Sequence, residues 1–270
     1  MDATTHPVIL LTPELIGPRA EPTIFLDTLV IYSGGVYAGY DVNSVVVLTS
    51  EPVVLTDSVV HGGGAAYAVD ATGYYGRADT HDWSNLRIEY CRINGDTGGK
   101  GILGGDYLLY RSDVAGGEDG LHINRGTVYV NRSIIREQVR SSGGHHDGIQ
   151  LSGGGDGGRL IIAHSRVQGS HEEETAALQI NVASADVISC NNLYSGGTYT
   201  VYCDPDDSPA TFRSSGDLFA YETAKFGEYT GRTAVAGPMH HSRLIVPRVS
   251  TPKETPAFES PSYPGDFAPF

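Results

Sequence analysis

Two segments echo each other and carry most of the residues that could do chemistry. Gly117-Glu118-Asp119-Gly120-Leu121-His122-Ile123 is repeated as His145-His146-Asp147-Gly148-Ile149-Gln150-Leu151. If the copies lie in register, Asp119 and Asp147 are neighbours, with Glu118 beside His146. Two carboxylates about 5 Å apart cannot both ionise comfortably. They must share a proton, hold a cation or stand in water. A shared proton suits a retaining glycosidase, whose two carboxyl groups stand about 5–5.5 Å apart. A cation suits a lyase, in which Ca2+ neutralises a uronate and acidifies its α-proton.

The catalytic candidates are therefore Asp119, Asp147, His146 and His122. Histidine serves as a base because its titration is tunable near neutral pH, and His145 joins His122 and His146 in that role. Asp119 and Asp147 are also the metal candidates, for Ca2+. Arg111 and Arg132 fall in register and would clamp a sugar carboxylate through paired N–H donors. Glu118, His145, Gln150 and Gln179 complete the substrate-binding set. A plainer reading competes: Asp-Gly is a common turn pair, because Asp caps locally and Gly permits positive φ.

The elements that would hold these residues also repeat. An apolar residue is followed by polar or small residues and by a second apolar residue about five positions on. The pattern occurs at Ile31 to Val36, Leu55 to Val60, Ile88 to Ile93, Leu109 to Val114, Val130 to Ile135, Ile162 to Val167 and Ile188 to Leu193, with a looser copy from Phe212 to Leu218. Loops between copies vary in length while the strands recur. A further strand in each unit alternates with period 2. It puts Leu121, Ile149 and Leu178 inward and His122, Gln150 and Gln179 outward.

Helical periodicity is nearly absent. Short strands at coil-length repeats predict an all-β parallel solenoid, in which each coil buries its apolar side only by stacking on the next. Ser112, Ser133 and Ser165 would stack inside one corner, and Cys190 would share a register with His164 and Arg132. An antiparallel sandwich is the alternative, but it would need hairpin turns between neighbouring copies.

The chain divides into an extended arm over residues 1–24, the solenoid over 25–230 and a Pro- and aromatic-rich arm over 231–270. Residues 247–270 hold Phe258, Tyr263, Phe267 and Phe270 among six prolines, which suits docking on a neighbouring surface.

With 270 residues and a net charge of −14, the chain lacks the basic face that nucleic acid requires. Three cysteines make no disulfide framework. No apolar run reaches transmembrane length. The first residues lack a basic stretch followed by an apolar one, so no secretory signal is expected.

Other clusters carry less. His171-Glu172-Glu173-Glu174 reads as a solvated face, Asp204-Pro205-Asp206-Asp207 as a turn and His240-His241 as a weak metal candidate. Gly62-Gly63-Gly64 and Gly153-Gly154-Gly155 are not followed by the Lys and Ser/Thr of a phosphate loop.

The Asp-Gly-apolar-x-apolar coils resemble those of right-handed parallel β-helix proteins, the pectate-lyase-like superfamily that includes polysaccharide lyases, inverting glycosidases and phage tailspikes. The resemblance covers roughly residues 25–220. It implies the fold more strongly than an activity, since one fold hosts many functions. Neither the Arg-x-Pro-x-x-Arg of pectate lyases nor the Asp-Asp pair with Gly-His-Gly of polygalacturonases occurs, so no family catalytic set carries over whole.

The expectation is a phage tail-associated virion protein contacting host-surface glycan, made in the host cytoplasm, homotrimeric, with residues 1–24 and 247–270 docking on neighbouring subunits. A polysaccharide lyase or glycosidase, and a ligand-free scaffold, are the alternatives.

Overall fold

A computed structural model describes residues 11, 16–73, 85–96, 99–136, 138, 146–152, 158–169, 176–182, 185–203, 211–220, 229–231 and 244–245. The described residues form strands and turns without helices, wound as a parallel β-helix. No helix among them is long and apolar enough to cross a membrane.

One complete coil shows the plan. A first strand, Tyr107–Tyr110, turns a tight corner into a second, Asp113–Gly116, and a glycine-rich turn leads to a third, Leu121–Ile123. Each strand pairs in parallel with its counterpart one coil on. Tyr107–Tyr110 lies against Thr127–Asn131, Asp113–Gly116 against Ile134–Arg136, and Leu121–Ile123 against Ile149–Leu151. The first strands make an eight-stranded stack running from Gly35–Ala38 to Thr211–Ser215.

The core is a set of same-register columns. Val69, Ile102, Leu121, Ile149, Leu178 and Val201 form one. Val60, Ile93, Val114, Ile135 and Val167 form another, continued by Tyr194 and Phe219. These residues are buried to 2% exposure or less, so truncating one of the leucines or isoleucines to Ala costs about 2–5 kcal/mol. The expected inward column of Leu121, Ile149 and Leu178 and the outward column of His122, Gln150 and Gln179 are both present.

The tight corner is held by a ladder of small polar residues. The N–H of Cys91 donates to Ser112 Oγ at 3.1 Å, Ser112 N–H to Ser133 Oγ at 3.2 Å, and Ser133 N–H to Ser165 Oγ at 3.2 Å. Ser165 N–H then donates to Asn192 Oδ1 at 2.8 Å, and Asn192 N–H to Asp217 Oδ1 at 2.7 Å. Each rung satisfies a backbone donor that the corner removes from the sheet. The residue before each rung is left-handed: Tyr90, Arg111, Arg132, His164 and Asn191 have φ of 45–53°, and Gly216 has φ 68°. A non-glycine residue there costs about 1 kcal/mol, which the buried rung offsets.

Several expected apolar pairs are shifted. The first anchor is Tyr37 with Val42, since Tyr37 pairs with Leu55 and Val42 with Val60, while Val36 is exposed. Near the other end Ser189 and Tyr194, not Ile188 and Leu193, continue the interior columns. Ser189 supplies the space and a hydrogen-bond partner that Tyr194 OH needs, 2.6 Å away, and Tyr194 stacks on Phe219 with centroids 5.4 Å apart. The looser copy is likewise Ser214 with Phe219. Cys190 therefore pairs with Ala163, one position short of His164, and is partly exposed. The inert buried thiol is Cys91, whose burial pushes it up to about 12.

The described part of the N-terminal arm docks on this chain's own corner. Arg166 Nη1 donates to Leu11 O at 2.8 Å, and Gly17 N–H to Arg111 O at 2.9 Å. Arg19 Nε donates to Asp57 Oδ1 at 2.8 Å, and its guanidinium lies 4.1 Å from the centre of the Tyr90 ring. Its hydrogen bond holds Asp57 below the usual carboxylate range. The expected docking arm over residues 247–270 lies outside the described residues. So do His171 to Glu174, Asp204 to Asp207, His240-His241 and Gly153 to Gly155.

Candidate functional site

The site grows from the turn between the second and third strands. Its backbone register is fixed by Gly101 N–H to Asp119 O at 2.8 Å and Gly120 N–H to Asp147 O at 3.0 Å. Asp119 and Asp147 consequently occupy equivalent places on successive coils, as the echoed segments implied, and Lys100 holds the same place on the coil before. The glycine of each Asp-Gly is required by space. A Cβ on Gly120 would stand 2.4 Å from Ile135 Cγ2 and 2.6 Å from Gly148 O, and one on Gly148 would stand 2.7 Å from Ala177 O. The coils approach too closely there for any side chain, so the turn reading of Asp-Gly gives way to a packing one.

Asp119 is 1% exposed and accepts from several directions. Lys100 Nζ and His122 Nδ1 both bind Oδ2, the histidine at 2.9 Å. Asp147 N–H reaches Oδ1 at 3.4 Å. Lys100 Nζ is also 3.5 Å from Glu118 Oε2. Lys100 is thus the one cation set between two carboxylates, Asp119 and Glu118, with Asp119 also facing His122.

The other face of His122 meets a residue that sequence reasoning did not single out. Ser152 Oγ lies 2.7 Å from His122 Nε2. An ionised Asp119 fixes the proton on Nδ1, so Nε2 accepts and the serine hydroxyl donates. The network thus assigns the tautomer that a general base requires. The third strand positions both residues. His122 is in register with Gln150, and the backbone of Ser152 continues the ladder with Ser152 N–H donating to Ile123 O at 3.0 Å. Two positions beyond Gln150 on the same outward face, Ser152 is the diagonal neighbour of His122, within side-chain reach. Asp119 is buried while His122 and Ser152 are partly exposed, so access increases from the carboxylate to the hydroxyl.

Asp147 has a different environment. It is fully buried, and burial, then the Asp119 charge, raise its carboxyl well above the usual range, which favours its protonated form. Ala176 N–H donates to Oδ1 at 2.7 Å, and Gln150 Nε2 reaches Oδ2 at 3.4 Å. The Gln179 amide lies against both Asp147 oxygens. With its oxygen toward the carboxyl it accepts the proton of a neutral Asp147; with its nitrogen there it donates to an ionised one.

The remaining expected residues fall elsewhere. His146 is fully buried, and His145 lies outside the described residues. Arg111 and Arg132 are in register as expected but sit at the serine corner, a different corner from Asp119. Arg111 Nε donates to Tyr110 OH at 3.2 Å. The Asp119 and Asp147 carboxyls do not fit Ca2+. Lys100 already supplies a cation to Asp119, and Asp147 is fully buried with its carboxyl held well above the usual range. Among the described residues, no three His, Cys, Asp or Glu side chains are grouped to hold a metal ion.

No family model, curated protein or solved structure matches this chain.

Proposed function

We propose that this β-helix is an acyl hydrolase that removes ester groups from a surface polysaccharide. Ser152 is the nucleophile, His122 the general base and Asp119 the group that holds the imidazole. The observation that carries the reading is the continuous relay from Ser152 Oγ through His122 to Asp119 Oδ2. Such relays are recognised by geometry and role, on any fold. Ser152 Oγ would attack the ester carbonyl as His122 Nε2 takes its proton. The same proton then passes to the departing sugar alkoxide, and a water molecule hydrolyses the acyl-serine.

Polysaccharide as the carrier of the ester follows from the resemblance to the pectate-lyase-like superfamily. Two-carboxylate cleavage of the glycan itself has less support. Asp147 has no exposed surface and Asp119 almost none, so neither carboxyl reaches a glycosidic oxygen. The setting remains the one read from the sequence, a trimeric tail-associated virion module meeting host glycan. Contact with neighbouring subunits is assigned to residues 247–270, because the described residues of the other arm are engaged on their own coils.

The test is acetate release from O-acetylated bacterial surface polysaccharides, read beside polymer length. Release without shortening, abolished by Ser152→Ala, is the expected result. Shortened polymer without acetate release, or undiminished release by the Ser152→Ala protein, would overturn the reading.

A further inference from the structure

The end of the solenoid that carries the first coil is built differently from its flanks. Every exposed large hydrophobic side chain among the described residues lies between Ile24 and Leu48. Phe25, Tyr32 and Val36 are each more than 70% exposed. Strand Ile24–Ile31 pairs with Tyr40–Val47 on one side, and strand Gly35–Ala38 pairs with Val53–Thr56 on one side. Neither has a second partner among the described strands. Solenoid ends need a polar cap to stay soluble, and a long apolar edge strand is a template for another chain. An apolar face framed by two open sheet edges therefore marks an interaction site.

Charge selects the occupant. From residue 20 to residue 76 the sequence has no Lys or Arg, and it has Glu21, Asp27, Asp41, Glu51, Asp57 and Asp70. Asp57 is answered by Arg19, and Asp41 is 2.8 Å from His61 Nε2. Glu21, Asp27 and Glu51 leave the rim acidic. A second copy meeting this end would set its own acidic rim against the first, and like charges across an interface cost several kcal/mol.

We propose that the first coil docks a partner protein by strand addition along Ile24–Ile31, the incoming strand being apolar on one face and flanked by Lys or Arg. Backbone bonds to the open edge would supply affinity, and the basic flanks would supply specificity. This inference is independent of the hydrolase site, which lies on later coils.

The probe is a synthetic octapeptide of alternating Val and Thr with two Lys at each end, and its twin with Glu at each end. Binding is read by anisotropy, and edge engagement by hydrogen exchange at residues 24–31. The Lys-flanked peptide is expected to bind at least about tenfold more tightly than the Glu-flanked one and to slow exchange across the strand. Phe25→Lys should weaken that binding at least tenfold with an unchanged melting temperature, because Phe25 is 71% exposed. Equal binding of the two peptides, or no binding, would overturn the proposal. So would edge amides already fully protected in the free monomer, since this chain would then cover its own end. Dimerisation abolished by Phe25→Asp would overturn it in favour of a second copy.

Discussion

Ser152 Oγ stands 2.7 Å from His122 Nε2 although 30 positions separate them. One turn of the solenoid carries the chain out and back, so the distance is set by register and not by a loop. The base lies on a strand and the nucleophile directly follows the neighbouring strand, Ile149–Leu151, tied back by Ser152 N–H to Ile123 O, which gives the fixed placement that a catalytic pair needs.

The relay predicts non-additive kinetics. Ser152→Ala and His122→Ala should each lower ester turnover by at least about 10^3-fold, and the double variant should be no worse than either. Steady-state rates on an aryl acetate would check this. Multiplicative losses would mean that the residues do not act as a unit.

Asp119→Asn should be costly twice over. It removes the acceptor that sets the His122 tautomer, a loss of about 10^4-fold in similar relays. It also leaves Lys100 facing Glu118 alone, and breaking a buried pair destabilises by about 3–5 kcal/mol. The Lys100→Met/Asp119→Asn double variant separates the two: stability should partly return while turnover does not.

Stability should fall as pH rises through the weakly acidic range. Asp217 is fully buried, and burial raises its carboxyl from 3.8 to about 6; Asp147 is raised by burial and by Asp119. The folded state binds these protons more tightly than the unfolded chain does. The stabilisation is therefore complete below the unfolded value near 4 and is lost as pH rises through the folded value. For Asp217 the loss between pH 4 and 6 is roughly 3 kcal/mol. Asp217→Asn and Asp147→Asn should flatten melting temperature against pH, and Asp147→Asn should retain turnover. An unchanged pH profile in both variants would contradict the assignment.

Ser133→Ala should lower stability by about 1–3 kcal/mol, because it orphans the buried Ser112 N–H. Chemical denaturation would measure it. A change of the same size in turnover at saturating substrate would show that the corner and the site are coupled.

The fold was legible because its evidence is local. The echo around Asp119 and Asp147 gave the coil register, and Ser112, Ser133 and Ser165 gave the corner. The phase slipped at Ile188 for a physical reason. The outward face of the first-strand stack is itself apolar, with Leu108, Tyr129, Ile161 and Ile188 forming a second buried cluster. Alternation cannot tell inside from outside there, and Ser189 with Tyr194 breaks the apolar column.

The site was half legible. Asp119 and His122 stood out because they lie inside the repeat. Lys100 lies outside it, and Ser152 follows the repeat as an apparent turn residue before a glycine run. Ser152 could have been found by continuing the period-2 alternation past Gln150 and reading across to His122. Asp147 was visible by type, but its role was not, because burial, which spacing does not reveal, is the main cause that raises its carboxyl.

The measurement closest to the central claim is covalent labelling of the native protein with a fluorophosphonate, followed by peptide mapping. The account predicts a single stoichiometric adduct on Ser152, lost in His122→Ala and retained in Asp147→Asn. Absence of an adduct on Ser152 in active protein, or equal labelling of other serines, would contradict it.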